Sequence, residues 1–234
     1  MNPRDRLIVA LDVSTASQAR SIASQVREYV GIYKIGKQLF TAEGPALVRE
    51  LAGSSRVFLD LKFHDIPNTV AGAVREAAKL GVSMLTVHAS GGSAMLRAAV
   101  AAAGEFSPAP QILAVTVLTS LTDSDLQEVG IHGRVADQVL RLASLARMHG
   151  CNGIVASAQE ASELRRQLGT GFAIVTPGVR PAGHKPGDQA RVLTPAEALR
   201  AGASHIVVGR PITEAEDPVA SARGILEEIT TACK

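Results

Sequence analysis

The sequence predicts an α/β fold, a single-domain (β/α)8 TIM barrel whose eight parallel strands close on themselves, and three observations lead there. Short β-branched runs alternate with longer Ala-rich amphipathic stretches from end to end, the pattern of repeated βα units around a parallel sheet. Eight such pairs can be counted. The length, 234 residues, is usual for an α/β barrel with one core, so residues 1–234 are expected to form a single barrel domain.

Taken in order, the strand candidates are residues 7–13, 32–36, 57–62, 84–89, 112–119, 153–157, 173–176 and 205–209, each bounded by a turn signal or a helix start. After the third, Pro67 with Asn68-Thr69 marks a helix start, and Gly81 sits where that helix should stop. Gly150 and Gly169 play the same stopping part ahead of the sixth and seventh strands. Thr194-Pro195-Ala196-Glu197 opens the next helix, Gly202 ends it, and Asp217-Pro218 opens the last one. Two connections are unusually long: residues 120–134 after strand five, and residues 180–193, with Pro181, Gly183, Pro186 and Gly187, after strand seven. Long βα loops at that face of a barrel read as ligand covers.

Residues 59–69, Leu-Asp-Leu-Lys-Phe-His-Asp-Ile-Pro-Asn-Thr, place Asp60, Lys62 and Asp65 in a segment that otherwise reads as a buried strand entering a helix. In a regular strand Asp60 and Lys62 point to one side, about 6–7 Å apart, while Leu59, Leu61 and Phe63 point to the other. Barrel chemistry sits at the carboxyl ends of the strands. The polar residues there are Asp12 on strand one, Lys34 in strand two, Asp60 and Lys62 on strand three, His88 on strand four, Thr119 on strand five and Gly209-Arg210 on strand eight. Lysines interleaved with acids suggest an ionic active site. The plain alternative is a structural ion-pair network at a strand end. Asp12 alone reads as a turn residue, and His64 and His88 read as packing histidines to which no role is assigned.

Net charge is +2 with lysines and arginines scattered, which gives no footprint for nucleic acid or membrane and favours a small-molecule partner. Cys151 and Cys233 stand far apart with no CxxC or Cys/His cluster, so no disulfide framework or zinc site is expected and a reducing cytoplasm fits best. The N-terminal apolar run is too short and wrongly flanked for a signal peptide or membrane span, so a soluble protein is expected. Gly91-Gly92 is a plain βα turn without a GxGxxG or P-loop pattern, so no nucleotide cofactor is indicated.

In order along the chain, Val9-Ala10-Leu11-Asp12, Tyr33-Lys34-Ile35-Gly36, residues 60–69 (Asp-Leu-Lys-Phe-His-Asp-Ile-Pro-Asn-Thr), Val117-Leu118-Thr119-Ser120, Thr176-Pro177-Gly178-Val179-Arg180 and Val208-Gly209-Arg210-Pro211 resemble the orotidine 5′-phosphate decarboxylase family. The third-strand block is highly specific; the others are weak singly and strong in order. The resemblance implies conversion of orotidine 5′-monophosphate to UMP, the last step of de novo UMP synthesis. It further implies a homodimeric barrel with active sites at the interface and neither metal nor organic cofactor.

The chemistry agrees. Loss of CO₂ from C6 of a pyrimidine leaves a carbanion in the ring plane, beyond the reach of the π-system, so electrostatics must stabilise it. A Lys62 ammonium, favoured by flanking Asp60 and Asp65, could do so and then protonate C6 as general acid. Asp60 would face the substrate carboxylate, where repulsion could destabilise the ground state. By resemblance Asp65 and Thr69 serve the partner's site. By the same resemblance Asp12 and Lys34 look like the ribose-hydroxyl contacts, with Lys34 also holding Asp60. The resemblance likewise implies that Thr119 with Ser120 would read the pyrimidine edge and that Arg180, Gln189, Gly209 and Arg210 would hold the phosphate.

Three other functions compete. Magnesium-dependent relatives of the same superfamily, such as 3-keto-gulonate-phosphate decarboxylase or hexulose-phosphate synthase, resemble this chain in the Asp-x-Lys-x-x-Asp segment. They carry a glutamate metal ligand where this chain has Lys34, which would repel the cation and has no lone pair to offer. A Schiff-base aldolase would need Lys62 neutral, which neighbouring carboxylates oppose. A non-catalytic ligand-binding barrel would not need every charged position filled.

Overall fold

The computed structural model describes residues 1–181 and 193–233. Eight parallel strands, β1 (Leu7–Ala10), β2 (Ile32–Gly36), β3 (Arg56–Phe63), β4 (Met84–His88), β5 (Gln111–Val115), β6 (Gly153–Val155), β7 (Ala173–Thr176) and β8 (His205–Val208), close into a barrel in chain order. β1 pairs with both β2 and β8, which leaves no free sheet edge.

Around it lie α1 (Ala16–Val26), α2 (Lys37–Ala52), α3 (Pro67–Ala78), α4 (Gly92–Ala103), α5 (Asp123–Glu128), α6 (Val135–Met148), α7 (Ala161–Leu168), α8 (Pro195–Arg200), α9 (Arg210–Thr213) and α10 (Pro218–Ala232). Eight helices were expected from the eight pairs; α5 and α9 are short additions within the connections after β5 and β8. α5 builds its own start, because Thr122 and Asp125 cap each other's backbone amides reciprocally. The connection 120–134 is thus partly helical rather than an open loop.

Three strands end earlier than expected by two residues or more, at Ala10, Val115 and Val155 rather than at positions 13, 119 and 157, and β4 and β8 by one, at His88 and Val208. Leu11 and Val117 just beyond are still buried in the larger apolar core, so the apolar run continues after the ladder stops. The start of α3 also differs: its N-cap is Ile66 with no side-chain cap, and Asn68 and Thr69 lie inside the first turn. Pro67, with its fixed φ at the first turn, opens the helix instead. Thr194 and Asp217 do cap α8 and α10, and Gly81, Gly150, Gly169 and Gly202 all take positive φ at the helix ends.

Two cores result. The barrel interior is an apolar plug of Ile8, Ala10, Ile32, Phe58, Met84, Leu113, Val175 and Val207; a larger shell fills the space between strands and helices. Toward the carboxyl ends, the next residues of this alternation on β2, β3 and β4 are Lys34, Asp60 and Thr86, so the plug is the floor of a polar chamber. No helix among the described residues is long and apolar enough to cross a membrane.

At the opposite end of the plug His205 is 3% exposed, and neither ring nitrogen has a hydrogen-bond partner among the described residues. Burial first, then the Arg56 and Arg6 charges, lower its pKa from the usual 6.5 to about 4. As pH falls from 6.5 to about 4 the unfolded chain takes up a proton that the folded barrel refuses, so stability drops across that window and levels off below it. The full shift corresponds to about 3 kcal/mol. Urea melts at pH 7 and pH 4.5 should show His205→Gln losing less stability on acidification than wild type; an equal loss would exclude His205 as the source.

Candidate active site

β3 does not run straight through the residues that matter. Leu59 pairs with Leu85 but Phe63 pairs with Val87, so four steps along β3 cover two along β4. Inside this bulge Lys62 has φ 54°, the one non-glycine residue in the left-handed region among those described. Such a conformation costs about 1–2 kcal/mol and persists only where surroundings hold it, most often at functional sites. Here the Lys62 amide donates to the Thr86 hydroxyl on β4 at 2.9 Å. The regular alternation expected for this segment is therefore corrected, although Leu59, Leu61 and Phe63 do pack on the helix side as predicted. Instead of standing apart, the two head groups meet: Lys62 Nζ lies 2.8 and 2.9 Å from the Asp60 carboxylate oxygens.

Asp60 is the hub. Its side chain, 13% exposed, also accepts from Thr86 Oγ1 at 2.9 Å and lies 3.8 Å from Lys34 Nζ. Burial by itself would raise this carboxyl, but the Lys34 and Lys62 charges with the two side-chain hydrogen bonds outweigh it and hold the group below the usual aspartate value. Lys34, 8% exposed, donates to Asp12 Oδ1 at 3.0 Å. A chain of alternating charge, Asp12, Lys34, Asp60, Lys62, thus crosses the barrel mouth from just beyond β1 to β2 and β3. Gly36 makes room for it: a Cβ there would come within 3.0 Å of Asp12 Oδ1 and 3.1 Å of Lys34 Nζ.

Two cavities flank the array and share Lys34, Asp60, Pro177 and Val207. The smaller, about 170 Å³, has walls of Phe58, Val115, Val117, Leu118, Val155 and Val175, with Lys62 and Thr119 at its edge. The larger, about 460 Å³, is polar and runs from Asp12 across to Gly178, Arg180, Gly209, Arg210 and Glu214. A flat apolar group fits the first, and a polyhydroxylated, anionic one the second.

Residues 5–225 match the family described as orotidine 5′-phosphate decarboxylase / HUMPS. The chain belongs to that family. It is 56% identical to orotidine 5′-phosphate decarboxylase of Moorella thermoacetica, over 98% of this chain and 94% of the relative. It is 54% identical to that of Anaeromyxobacter dehalogenans, over 96% of this chain and 98% of the relative. Among solved structures, orotidine 5′-phosphate decarboxylase from Lactobacillus acidophilus superposes with a TM-score of 0.86 at 40% identity, over 95% of this chain and 98% of that one.

Within this member of the orotidine 5′-phosphate decarboxylase / HUMPS family the expected site residues divide. Asp12, Lys34, Asp60 and Lys62 converge as an ion-paired array, and Thr119, Arg180, Gly209 and Arg210 line the two cavities. Asp65 is not gathered in: it is exposed, and its carboxylate accepts from the Ile66 amide at 2.6 Å instead of pairing with Lys62. Thr69 is exposed on the first turn of α3, and Ser120 is exposed and lines neither cavity. Gln189 lies outside the described residues. The rings of His64 and His88 lie tilted at 35° with centroids 5.4 Å apart, and His88 is held below its ordinary pKa by burial, then by His64 and Lys62.

Thr86 and Gly36 went unnoticed in the sequence. A threonine in Met-Leu-Thr-Val-His, two residues from the apolar floor residue Met84, was the available signal for the first; for the second, only the three-dimensional approach of Asp12 and Lys34 reveals the need for a missing Cβ.

Proposed function

We propose that the protein decarboxylates orotidine 5′-monophosphate to UMP in the last step of de novo UMP synthesis, acting in the cytoplasm as a homodimer of single-domain barrels and using no metal or organic cofactor. The observation that carries this reading is the Lys34, Asp60, Lys62 array standing between an apolar cavity and an arginine-lined one.

The pyrimidine enters the smaller cavity beside Thr119 and Ser120, the ribose hydroxyls meet Asp12 and Lys34, and the phosphate is held by Arg180, Gly209 and Arg210, with Gln189 as a further ligand. This pose sets C6 and its carboxylate over Asp60 and Lys62. The C6–carboxylate bond breaks, its electron pair stays on C6, and the Lys62 ammonium stabilises that charge before giving C6 a proton. The amine left behind regains a proton from solvent. Asp60, kept ionised by its two lysines, holds Lys62 in place and presents negative charge to the departing carboxylate. Asp65 and Thr69, exposed in the isolated chain, complete the partner's site.

Lys34 argues against the magnesium-dependent chemistry of sugar-phosphate relatives. Its ammonium is paired at 3.0 Å with Asp12 and 3.8 Å with Asp60, the carboxylates a cation would need. Phosphate dependence tests the pose. The 5′-monophosphate should be turned over with a kcat/KM at least about 10³-fold above that of orotidine, because binding energy from the remote arginines is realised at the reacting carbon. Comparable values for the two would place the phosphate contacts elsewhere.

A further inference from the structure

Among the described residues, the hydroxyl of Thr86 is the one group outside β3 that bonds to both members of the Asp60–Lys62 pair. Thr86 is fully buried, 0% exposed, in a strand whose other inward residue at the floor is Met84. Its Oγ1 accepts from the Lys62 amide at 2.9 Å and donates to Asp60 Oδ1 at 2.9 Å. A hydroxyl has one proton to give. Since the amide is a donor and the ionised carboxylate an acceptor, the direction of both bonds is fixed. One oxygen therefore ties the backbone of Lys62, in its left-handed bulge, to the orientation of the carboxylate that grips its ammonium.

We infer that Thr86 is a positioning residue for the decarboxylation: its hydroxyl locks the β3 bulge and aims Asp60, and so sets where the Lys62 ammonium stands relative to the reacting carbon. This rests on the proposed function. Thr86 is not among the residues that line either cavity, so substrate affinity should be largely independent of it. Removing the hydroxyl leaves the Lys62 amide without that acceptor and takes from Asp60 Oδ1 one of its two hydrogen bonds, the other coming from Lys62 Nζ, and the bulge then relaxes toward ordinary strand geometry.

The test compares wild type, Thr86→Val, which keeps the shape and loses both bonds, and Thr86→Ser, which keeps both bonds and loses the methyl. Steady-state turnover of orotidine 5′-monophosphate should show kcat of the valine variant reduced by about 10- to 100-fold, with KM and inhibition by UMP within about threefold of wild type. The serine variant should regain kcat to within about threefold. A valine variant with wild-type kcat, a serine variant as slow as valine, or a valine defect in KM alone would each overturn the role of Thr86. A wild-type protein inactive on this substrate would instead overturn the function reading. If the valine variant does not melt cooperatively, Thr86→Cys against Thr86→Ser asks the same question, because a thiol is a weak donor and acceptor. Equal kcat for those two would likewise overturn it.

Discussion

Replacing Lys62 with alanine should lower kcat on orotidine 5′-monophosphate by about 10⁴-fold or more, since the side chain is asked both to stabilise developing charge and to deliver a proton. The loss should lie in kcat. The ribose and phosphate contacts do not involve Lys62, so UMP should still bind. Folding should survive as well: Asp60 would keep the Thr86 hydroxyl at 2.9 Å and Lys34 at 3.8 Å, so it is not left as an uncompensated buried charge. Single-turnover assays with UMP titrations separate the outcomes. A variant that retains a tenth of wild-type kcat would remove Lys62 from the chemistry, and one that loses UMP binding equally would make it a binding group.

The second large effect concerns the partner chain. If each site takes Lys62 from one protomer and Asp65 from the other, Lys62→Ala and Asp65→Ala homodimers are both nearly inactive. A mixed dimer then carries one site with both native residues and one with neither. Random exchange makes half the dimers mixed, so the mixture should recover about a quarter of wild-type activity. The starting point is Asp65 exposed in a single chain, bonded to the Ile66 amide and not to Lys62, beside Ile66 with 67% of its surface exposed. A mixture no more active than the sum of its parts would place Asp65 in its own chain's site, or outside any site.

What could be read in the sequence follows from locality. Gly81, Gly150, Gly169 and Gly202 end helices because positive φ is a property of single residues, and the Thr194 cap with Glu197 is complete within four positions. The charged array was legible for a related reason: ions in apolar strands stand out, and barrel topology gathers the carboxyl ends of those strands without further information. The bulge at Lys62 was not legible. Leu-Asp-Leu-Lys-Phe alternates cleanly and reads as a straight strand, while Thr86, which accepts the Lys62 amide within the bulge, lies a helix and a strand away. Strands one and five ran long for the opposite reason, because Leu11 and Val117 remain buried after the ladder has ended, and hydrophobicity reports burial rather than pairing. The early end of β5 also moves Thr119 off the strand and onto the connection that α5 partly fills, four residues beyond Val115. Asp65 shows a different limit. Its expected target would belong to another copy of the chain, so neither the sequence nor one protomer's geometry brings the two together.

In the proposed reaction an ion-paired lysine, rather than a bound cation, carries the decarboxylation. The most direct test is to follow pyrimidine absorbance as the purified protein meets orotidine 5′-monophosphate in excess EDTA. Conversion to UMP at the same rate with and without the chelator is the predicted result. No conversion in EDTA, with activity on a sugar phosphate restored by magnesium, would contradict it and would move the chain to the metal-dependent side of its family.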